Sequence, residues 1–460
     1  DVAGLRMVEA QVGRIQSLAA AVAATFAAGQ RVFIAGCGAT GRLALTVETL
    51  CREGLLPEAY QDRVIGFMAG GDAALIRSLE GFEDRVDYGQ RQLEDLGFSD
   101  GDLMIGVTEG GETPFVIAAT EHALSLGKQP GWFCYCNPDA SLSAVAERSR
   151  RVLANPRIEC LPLITGPMAL AGSTRLQATT VQLAALLLAI EYSADPAAIP
   201  QVAQSLREVI EQLDYAAMES LTQSEFQAIQ QKDPVLYTTE VYGLTVLTDT
   251  TERAPTFSQY AFENTQSPEQ SASLCYLSIE SAADAPAAWA HLLRRAPRTL
   301  EWPEVQAVVG LYYFYGYDIS ERAKAHRMQK IGRGSLCIDI KNTESGIDFL
   351  FENQAIRFSL PSVVTIRNLA LKVLLNSHST LLMGRLGRFE GNLMTWVRPS
   401  NNKLIDRAIR YIRLLCERRG LSVPSYEHTC RTLFEVRASM PADAAIVLET
   451  LKALEKQSEV

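Results

Sequence analysis

The 460 residues are too many for one ordinary hydrophobic core and suit two domains with an appendage. With 47% hydrophobic and 21% charged residues the composition is that of an ordinary globular chain, since disordered, collagen-like and membrane-spanning chains all depart from it. A net charge of -10 and a pI near 5.3 exclude a chain built around nucleic-acid phosphates, but leave room for a local pocket that takes one small anion.

Nine cysteines are scattered without any C-x-x-C, and the five histidines lie far apart. This favours free thiols in a reducing cytoplasm over a disulfide framework or a zinc site, so neither metal nor cofactor is expected. No apolar run reaches transmembrane length and nothing resembles a signal peptide, which predicts a cytoplasmic chain with no membrane partner and no nucleic-acid partner. The chain opens on Asp1 rather than Met, which leaves room for missing N-terminal residues.

From about residue 3, "LRMVEAQVGRIQSLAAAVAATFAAG" reads as an amphipathic helix closed by Gly29. Apolar runs then alternate with helical stretches: "RVFIAGC", "RVIGFMAG", "DLMIGVT", "GWFCYC" and "IECLPLI". Strands apolar on both faces and separated by helices predict a parallel sheet covered on both sides, with ligands bound at the carboxyl ends of its strands. A long helix, "GSTRLQATTVQLAALLLAIEYSA", ends at a Pro/Ala-rich break near residues 195 to 200. The second half repeats the plan less cleanly. Its strand candidates are "VLYTTEVYGLTVLTDT", "VQAVVGLYYFYG", "SLCIDIK" and "AIRFSL", and a second long helix, "SVVTIRNLALKVLLNSHSTLLMG", occupies the place of the first. That correspondence suggests an internal duplication. From roughly 400 to 458 the pattern is helical and charged, interrupted by Gly420 and Pro424.

Three loops carry the polar chemistry. Gly36-Cys37-Gly38-Ala39-Thr40-Gly41 matches G-x-G-x-x-G, but a dinucleotide site also expects an acid about 20 residues on to grip the ribose. The first acid after the second strand is Asp72, 34 residues past Gly38. Thr40 and Arg42 beside free helix amides favour a small anion instead. The third strand ends in "GVTEGGETPFVIAAT", where Glu109, Gly110 and Gly111 allow close approach and Thr113 can cap a helix or donate to phosphate. "GPMALAGSTRLQATT" then brings Ser173, Thr174 and Arg175 to a helix start. Each loop alone is what an ordinary capped helix start looks like; three of them on one sheet favour a convergent anion site. Glu80, Glu83 and Asp84 form either a solvated acidic surface or, through Glu83, a general base tuned by desolvation.

"AGCGATGRL", "AGGDAALIRSLEGFED", "GVTEGGETPFVI", "CNPDAS" and "AGSTRL", in that order, resemble the SIS (sugar isomerase) domain of the N-acetylmuramic acid 6-phosphate etherases and the glucokinase regulatory proteins. In the second half "VLTDTTERAPTF" is similar to the second SIS domain of the regulatory proteins, and "ALKVLLNSHSTLLMGRLGRFEGNLM" to the long helix of the etherases. The resemblance implies an α/β fold of two tandem SIS domains, each a three-layer sandwich of parallel sheet and helices, with a small helical C-terminal segment. The expected division is residues 1–200, a divergent second SIS domain at 201–425, and a tail at 426–460. A sugar phosphate is expected between the domains, lined mainly by the first domain's loops. Gly38, Ala39, Thr40, Gly41, Arg42, Glu109, Gly110, Gly111, Thr113, Ser173, Thr174 and Arg175 are its expected contacts. Lys372 is either a contribution from the second domain or a solvated helix lysine.

Within the resemblance, Ala39 stands where a threonine is usual and Gly110 where a serine is. Glu83 matches the etherase base, while the etherase acid falls on Leu50, which has no proton to give. Glu48 lies two residues earlier, about 200° around a helix, and is expected to point elsewhere. The reading that follows is a regulatory-protein-like sensor of a hexose or amino-sugar phosphate, with a sugar kinase as the partner that the resemblance suggests. The alternatives are an etherase-type lyase with a rearranged acid and, less favoured, a sugar-phosphate isomerase using Glu83.

Overall fold

In place of one N-terminal helix there are two, α1 (Val2–Ala10) and α2 (Val12–Ala27). Gln11, just before the helix-weakening Gly13, leaves the helical region (φ -100°, ψ 12°). This computed structural model describes residues 1–77, 79, 81–267, 273–331, 334–399, 402–441 and 444–458.

All five apolar runs of the first half are strands. They alternate with helices: β1 (Val32–Gly36), α3 (Ala39–Leu50), β2 (Val64–Met68), α4 (Val86–Asp95), β3 (Leu103–Val107), α5 (Pro114–Leu126), β4 (Gly131–Tyr135), α6 (Asp139–Val145), α7 (Glu147–Leu153) and β5 (Ile158–Pro162). The sheet runs β2-β1-β3-β4-β5 and is parallel throughout. β1 to β4 are buried at every position, as strands covered on both faces must be. The long helix α8 (Ala178–Glu191) begins six residues later than its sequence pattern suggests, because the preceding segment is a loop that ends on Gln177 at φ 50°. From Ala178 to Ile190 every residue of α8 is buried. It packs on α1 and α2 and reaches across to the second half, so it needs no polar face.

The second half follows as α9 (Ile199–Gln212), α10 (Glu219–Gln231), β6 (Val235–Thr238), α11 (Gly243–Phe257), β7 (Cys275–Ser278), α12 (Ala285–Leu293), α13 (Gln306–Val309), α14 (Leu311–Phe314), α15 (Glu321–Ile331), β8 (Leu336–Thr343), β9 (Gly346–Phe351), β10 (Gln354–Ser359) and α16 (Val364–Arg385). Its sheet runs β10-β9-β8-β6-β7, with β7, β6 and β8 parallel but β8, β9 and β10 antiparallel. Two strand expectations fail here. "VLYTTEVYGLTVLTDT" is a strand only at Val235–Thr238 and then becomes α11, while "VQAVVGLYYFYG" forms α13 and α14 around Gly310. In both, packing overrides the strand preference of Val, Thr and Tyr: α11 is sandwiched between α16 and α3, and the Phe314 ring packs tilted against Trp289. β7 and β9 are strands that the sequence pattern alone did not single out.

A short hairpin, β11 (Phe389–Glu390) with β12 (Leu393–Met394), leads into α17 (Asn402–Arg418), α18 (Tyr426–Ser439) and α19 (Ile446–Ser458). These pack around a separate core that includes Ile409, Ile412, Leu433, Val447 and Leu451. The cluster is anchored on the third polar loop: Ala171 N donates to Asn392 O at 2.9 Å, and the Tyr411 hydroxyl donates to Ala171 O.

The glycines of the first loop are explained by packing. A Cβ on Gly36 would lie 2.4 Å from the Thr40 backbone, and one on Gly41 2.5 Å from Met68 Cβ, so strand and helix touch directly; Gly38 turns the chain at φ 55°. Gly36→Ala is therefore expected to cost about 3 kcal/mol of unfolding free energy in urea. Gly13→Ala, whose added carbon meets nothing within 4 Å, should leave stability unchanged or slightly raised.

Candidate functional site

The first loop is self-contained. Thr40 Oγ1 accepts from Cys37 N (3.0 Å) and donates to Cys37 O (2.9 Å), so its only proton is used inside the turn. Asp72, the first acid past the second strand, is also occupied: it accepts from Arg295 Nη1 and from Arg298 N, both at 2.6 Å. A ribose has no carboxylate to meet there, and the dinucleotide reading ends. Arg42 is buried, donates Nη2 to Leu75 O at 3.1 Å, and leaves Nε without a hydrogen-bond partner. Burial pushes its guanidinium below the ordinary arginine range, with Glu252 opposing.

In the second loop Thr113 stands at the N-cap of α5 without a side-chain cap bond; its hydroxyl pairs with Thr108 Oγ1 at 2.9 Å. Glu109 O, Gly110 O and Gly111 O accept from Cys136 N, Asn137 Nδ2 and Ser149 Oγ. Glu83 lies half-buried in a turn that is tied to the start of α5, since its carbonyl accepts from Phe115 N at 3.0 Å. Glu80 lies outside the described residues. Neither Glu83 nor the second loop lines the cavity described next.

The third loop reaches the second half. Ser173 is buried with no partner for Oγ, and Thr174 is half-buried with its carbonyl accepting from Thr179 N at 3.2 Å. Arg175, 2% exposed, is committed across the seam rather than free for an anion. Its Nη2 donates to Asp249 Oδ1, to Ser379 Oγ (2.5 Å) and to Asn376 Oδ1 (3.0 Å). Its Nε lies 4.0 Å from Glu252 Oε2, yet Nε and Nη1 have no hydrogen-bond acceptor. Behind Asp249 the charges alternate: Arg253 binds Asp249 Oδ2 (3.0 Å) and Glu225, and His378 Nε2 lies 2.7 Å from Glu225 Oε2. Burial alone would raise the Glu225 carboxyl, but Arg253 and His378 prevail and hold it at about 2.

Between the halves, α3 and α8 face α11 and α16 across a cavity of about 30 Å3. The first half contributes Ala39, Leu43 and Thr46 with Thr179 and Leu183, an apolar wall with two hydroxyls. The second contributes Thr245, Thr248, Asp249 and Glu252 from α11, then Lys372 and Asn376 from α16. Lys372 is not a solvated helix lysine: its Nζ donates to Arg175 O and Thr180 Oγ1, both at 2.8 Å. Burial, with Arg175 nearby, lowers its ammonium to about 7 against the pull of Glu252 and Asp249. The lining therefore comes from facing helices of both halves rather than mainly from the first half's loops.

Glu48, next to the position expected for an acid, is a fixed carboxylate. It accepts from Gly66 N (3.2 Å), Arg295 Nε (3.0 Å) and Arg298 Nη1 (2.9 Å). Its burial is outweighed by Arg295 and Arg298, so its carboxyl titrates below the usual range. Leu50 is buried in the core. Leu43, Thr46, Thr179, Leu183, Asn376 and the α11 residues are the ones sequence reasoning misses, although the i, i+3, i+4, i+7 spacing of the α11 residues marks one helical face.

Five parallel strands, flanking helices and three polar loops at the strands' carboxyl ends give the first half a SIS-type α/β fold. The comparisons narrow the class. Residues 13–124 match the glucokinase regulatory protein N-terminal SIS domain. The chain is 32% identical over 178 residues to the N-acetylmuramic acid 6-phosphate etherase of Aliivibrio fischeri, covering 38% of this chain and 54% of that protein. It is 35% identical over 175 residues to that of Streptomyces coelicolor, covering 37% and 51%. The chain thus spans about half the length of these relatives. Tagatose-6-phosphate ketose/aldose isomerase from Escherichia coli superposes with a TM-score of 0.44 at 10% identity, over 86% of this chain and 95% of that one. Among the described residues no helix is long and apolar enough to cross a membrane, and no cluster of metal-ligating side chains occurs.

Lys372 makes a pH prediction. Its folded value near 7 lies below the unfolded lysine value of about 10.4, so between the two the unfolded chain holds a proton that the folded chain has released. Its contribution to stability is complete above the unfolded value and is lost as pH falls towards 7. Lys372→Met is expected to remove on the order of 2 kcal/mol from the gain in unfolding free energy between about pH 7 and pH 9, read from urea titrations.

Proposed function

We propose that this chain binds a phosphorylated sugar, a hexose or amino-sugar phosphate, between its two halves and acts as a sensor of that ligand rather than as a lyase. One observation carries the reading. Ser173 Oγ, Arg42 Nε, and Arg175 Nε and Nη1 are buried donors without acceptors, as is the Thr248 hydroxyl in the cavity lining. An unsatisfied buried polar group costs about 1–3 kcal/mol, and several in one region are a reason to expect a ligand that supplies oxygens. Arg42 and Arg175 both lie within electrostatic reach of Glu252, which places them around one spot. A cavity of about 30 Å3 holds only a water or two, so a hexose phosphate enters by parting α11 and α16 from α3 and α8. That movement is what a partner protein, of which a sugar kinase is the class suggested by the regulatory-protein likeness, would detect.

Elimination at the sugar needs an acid as well as a base. Leu50 cannot serve, and Glu48 is held ionised by two arginines. The lyase reading is favoured only by the retained Glu83 and the etherase relatives, and the isomerase reading by Glu83.

Isothermal titration with fructose 6-phosphate, fructose 1-phosphate, glucosamine 6-phosphate and N-acetylmuramic acid 6-phosphate is expected to show binding of at least one. Ser173→Ala should weaken it roughly tenfold, the effect of one charge-assisted hydrogen bond. Glu83→Gln should leave it unchanged, with no lactate released from N-acetylmuramic acid 6-phosphate by either protein. No heat with any of the four sinks the proposal; lactate release that Glu83→Gln abolishes replaces it with the lyase.

A further inference from the structure

We propose that the second half carries a separate binding site for a neutral carbohydrate, at the outer edge of its sheet. Beyond the carboxyl end of β7, where Ile279 bridges Ser320, a cavity of about 470 Å3 opens between the starts of α12 and α15. That volume lies in the range of small-molecule sites, roughly 300–1,000 Å3. The cavity shares no residue with the cleft between the halves.

The lining identifies the ligand chemistry. Glu263, Gln266, Asp318, Arg322, His326 and Arg327 are all planar polar side chains, and Tyr315, with Ala285 and Pro286, adds an apolar surface. The fixed charges are already matched: Arg327 Nε donates to Glu263 Oε1 at 3.1 Å, and Arg322 Nη2 to Asp318 Oδ2 at 3.4 Å. An anion entering here meets two carboxylates, and a polyamine meets two guanidiniums. The helix end that would attract a phosphate is filled as well, because the Asp284 side chain accepts from Ala287 N at 2.9 Å. Paired carboxylates and guanidiniums do offer acceptors and donors side by side. Vicinal hydroxyls, each able to donate and accept, are their complement, and the C–H face of a pyranose suits Tyr315.

A second observation points to an occupant. Arg327 is 5% exposed, lies over the Tyr276 ring with Cζ 3.9 Å from its centroid, and donates Nη2 to Asp318 O at 2.8 Å. Its Nη1 has no hydrogen-bond partner, so this buried donor is left for a ligand oxygen.

The proposal does not rest on sugar-phosphate binding between the halves and is tested separately. The full chain is titrated with glucose, galactose, mannose, N-acetylglucosamine and maltose, followed by saturation-transfer NMR and calorimetry. At least one is expected to bind saturably without competition from inorganic phosphate. Arg322→Ala changes a side chain 69% exposed, so the fold is retained. Combined with His326→Ala it should weaken binding roughly fivefold or more, about one lost hydrogen bond, while Ser173→Ala leaves it unchanged. Absence of saturable binding by all five sugars overturns the inference. So does equal affinity in the double variant, or displacement of the sugar by phosphate.

Discussion

Glu48 and Asp72 are carboxylates of the first half with almost no exposure to water, and the second half brings Arg295 and Arg298 to neutralise them. Taking a charge out of water costs several kcal/mol unless a partner and hydrogen bonds offset it, and removing one member of such a pair costs about 3–5 kcal/mol. The mutual arrangement of the two sheets is therefore specified by charge as well as by apolar area. The loop that carries Arg295 and Arg298 is stitched in further, since Asp72 N donates to Arg298 O at 3.0 Å and Arg298 Nη1 to Gly66 O at 3.3 Å.

A second set of buried charges crosses the seam at Arg175 and Asp249, and it decides what the cleft is. Arg175 reads as a ligand group beside Ser173 and Thr174, but most of its bonding runs to α11 and α16. Its carbonyl in turn holds Lys372 and accepts from Asn376 Nδ2 at 3.0 Å. The third polar loop and the second half are thereby one network, in which Asp249 passes the contact on to Arg253, Glu225 and His378. A ligand that competes for the free nitrogens of Arg175 acts on the packing of both halves at once. The same reasoning supports the proposed sensor over a lyase. The carboxylate nearest the acid position has become part of the joint, and a carboxylate held by two arginines gives up no proton near neutrality.

Much of the first half is legible in the sequence. β1 to β4 are apolar on both faces, which only a covered parallel sheet explains, and the three polar loops follow from where such strands end. The second half was harder. "VLYTTEVYGLTVLTDT" is rich in β-branched and aromatic residues, and the local preference hid the helical face of Thr245, Thr248, Asp249 and Glu252. Its helical state is imposed by contact with α3 and α16, which no local window contains. Lys372 left a clue in "LALKVLL", a single charge in an apolar run. Its burial and its lowered ammonium, however, depend on Arg175, which lies 197 residues away in the chain. The pairing of Glu48 with Arg295 and Arg298 was illegible for the same reason: arginines are common, and nothing in the sequence marks which of them meets a given carboxylate.

The clasp on Glu48 also imposes an order on the protein's birth. Its partners lie 247 and 250 residues further along, so at about 5–20 residues per second the ribosome needs roughly ten seconds or more to deliver them. Until then Glu48 has only Arg52, four residues further on, as a charged partner, and Asp72, in the turn after β2, lacks its bonds to Arg295 and Arg298. The full set of bonds on Glu48 at that edge of the first sheet therefore closes only when the second half docks.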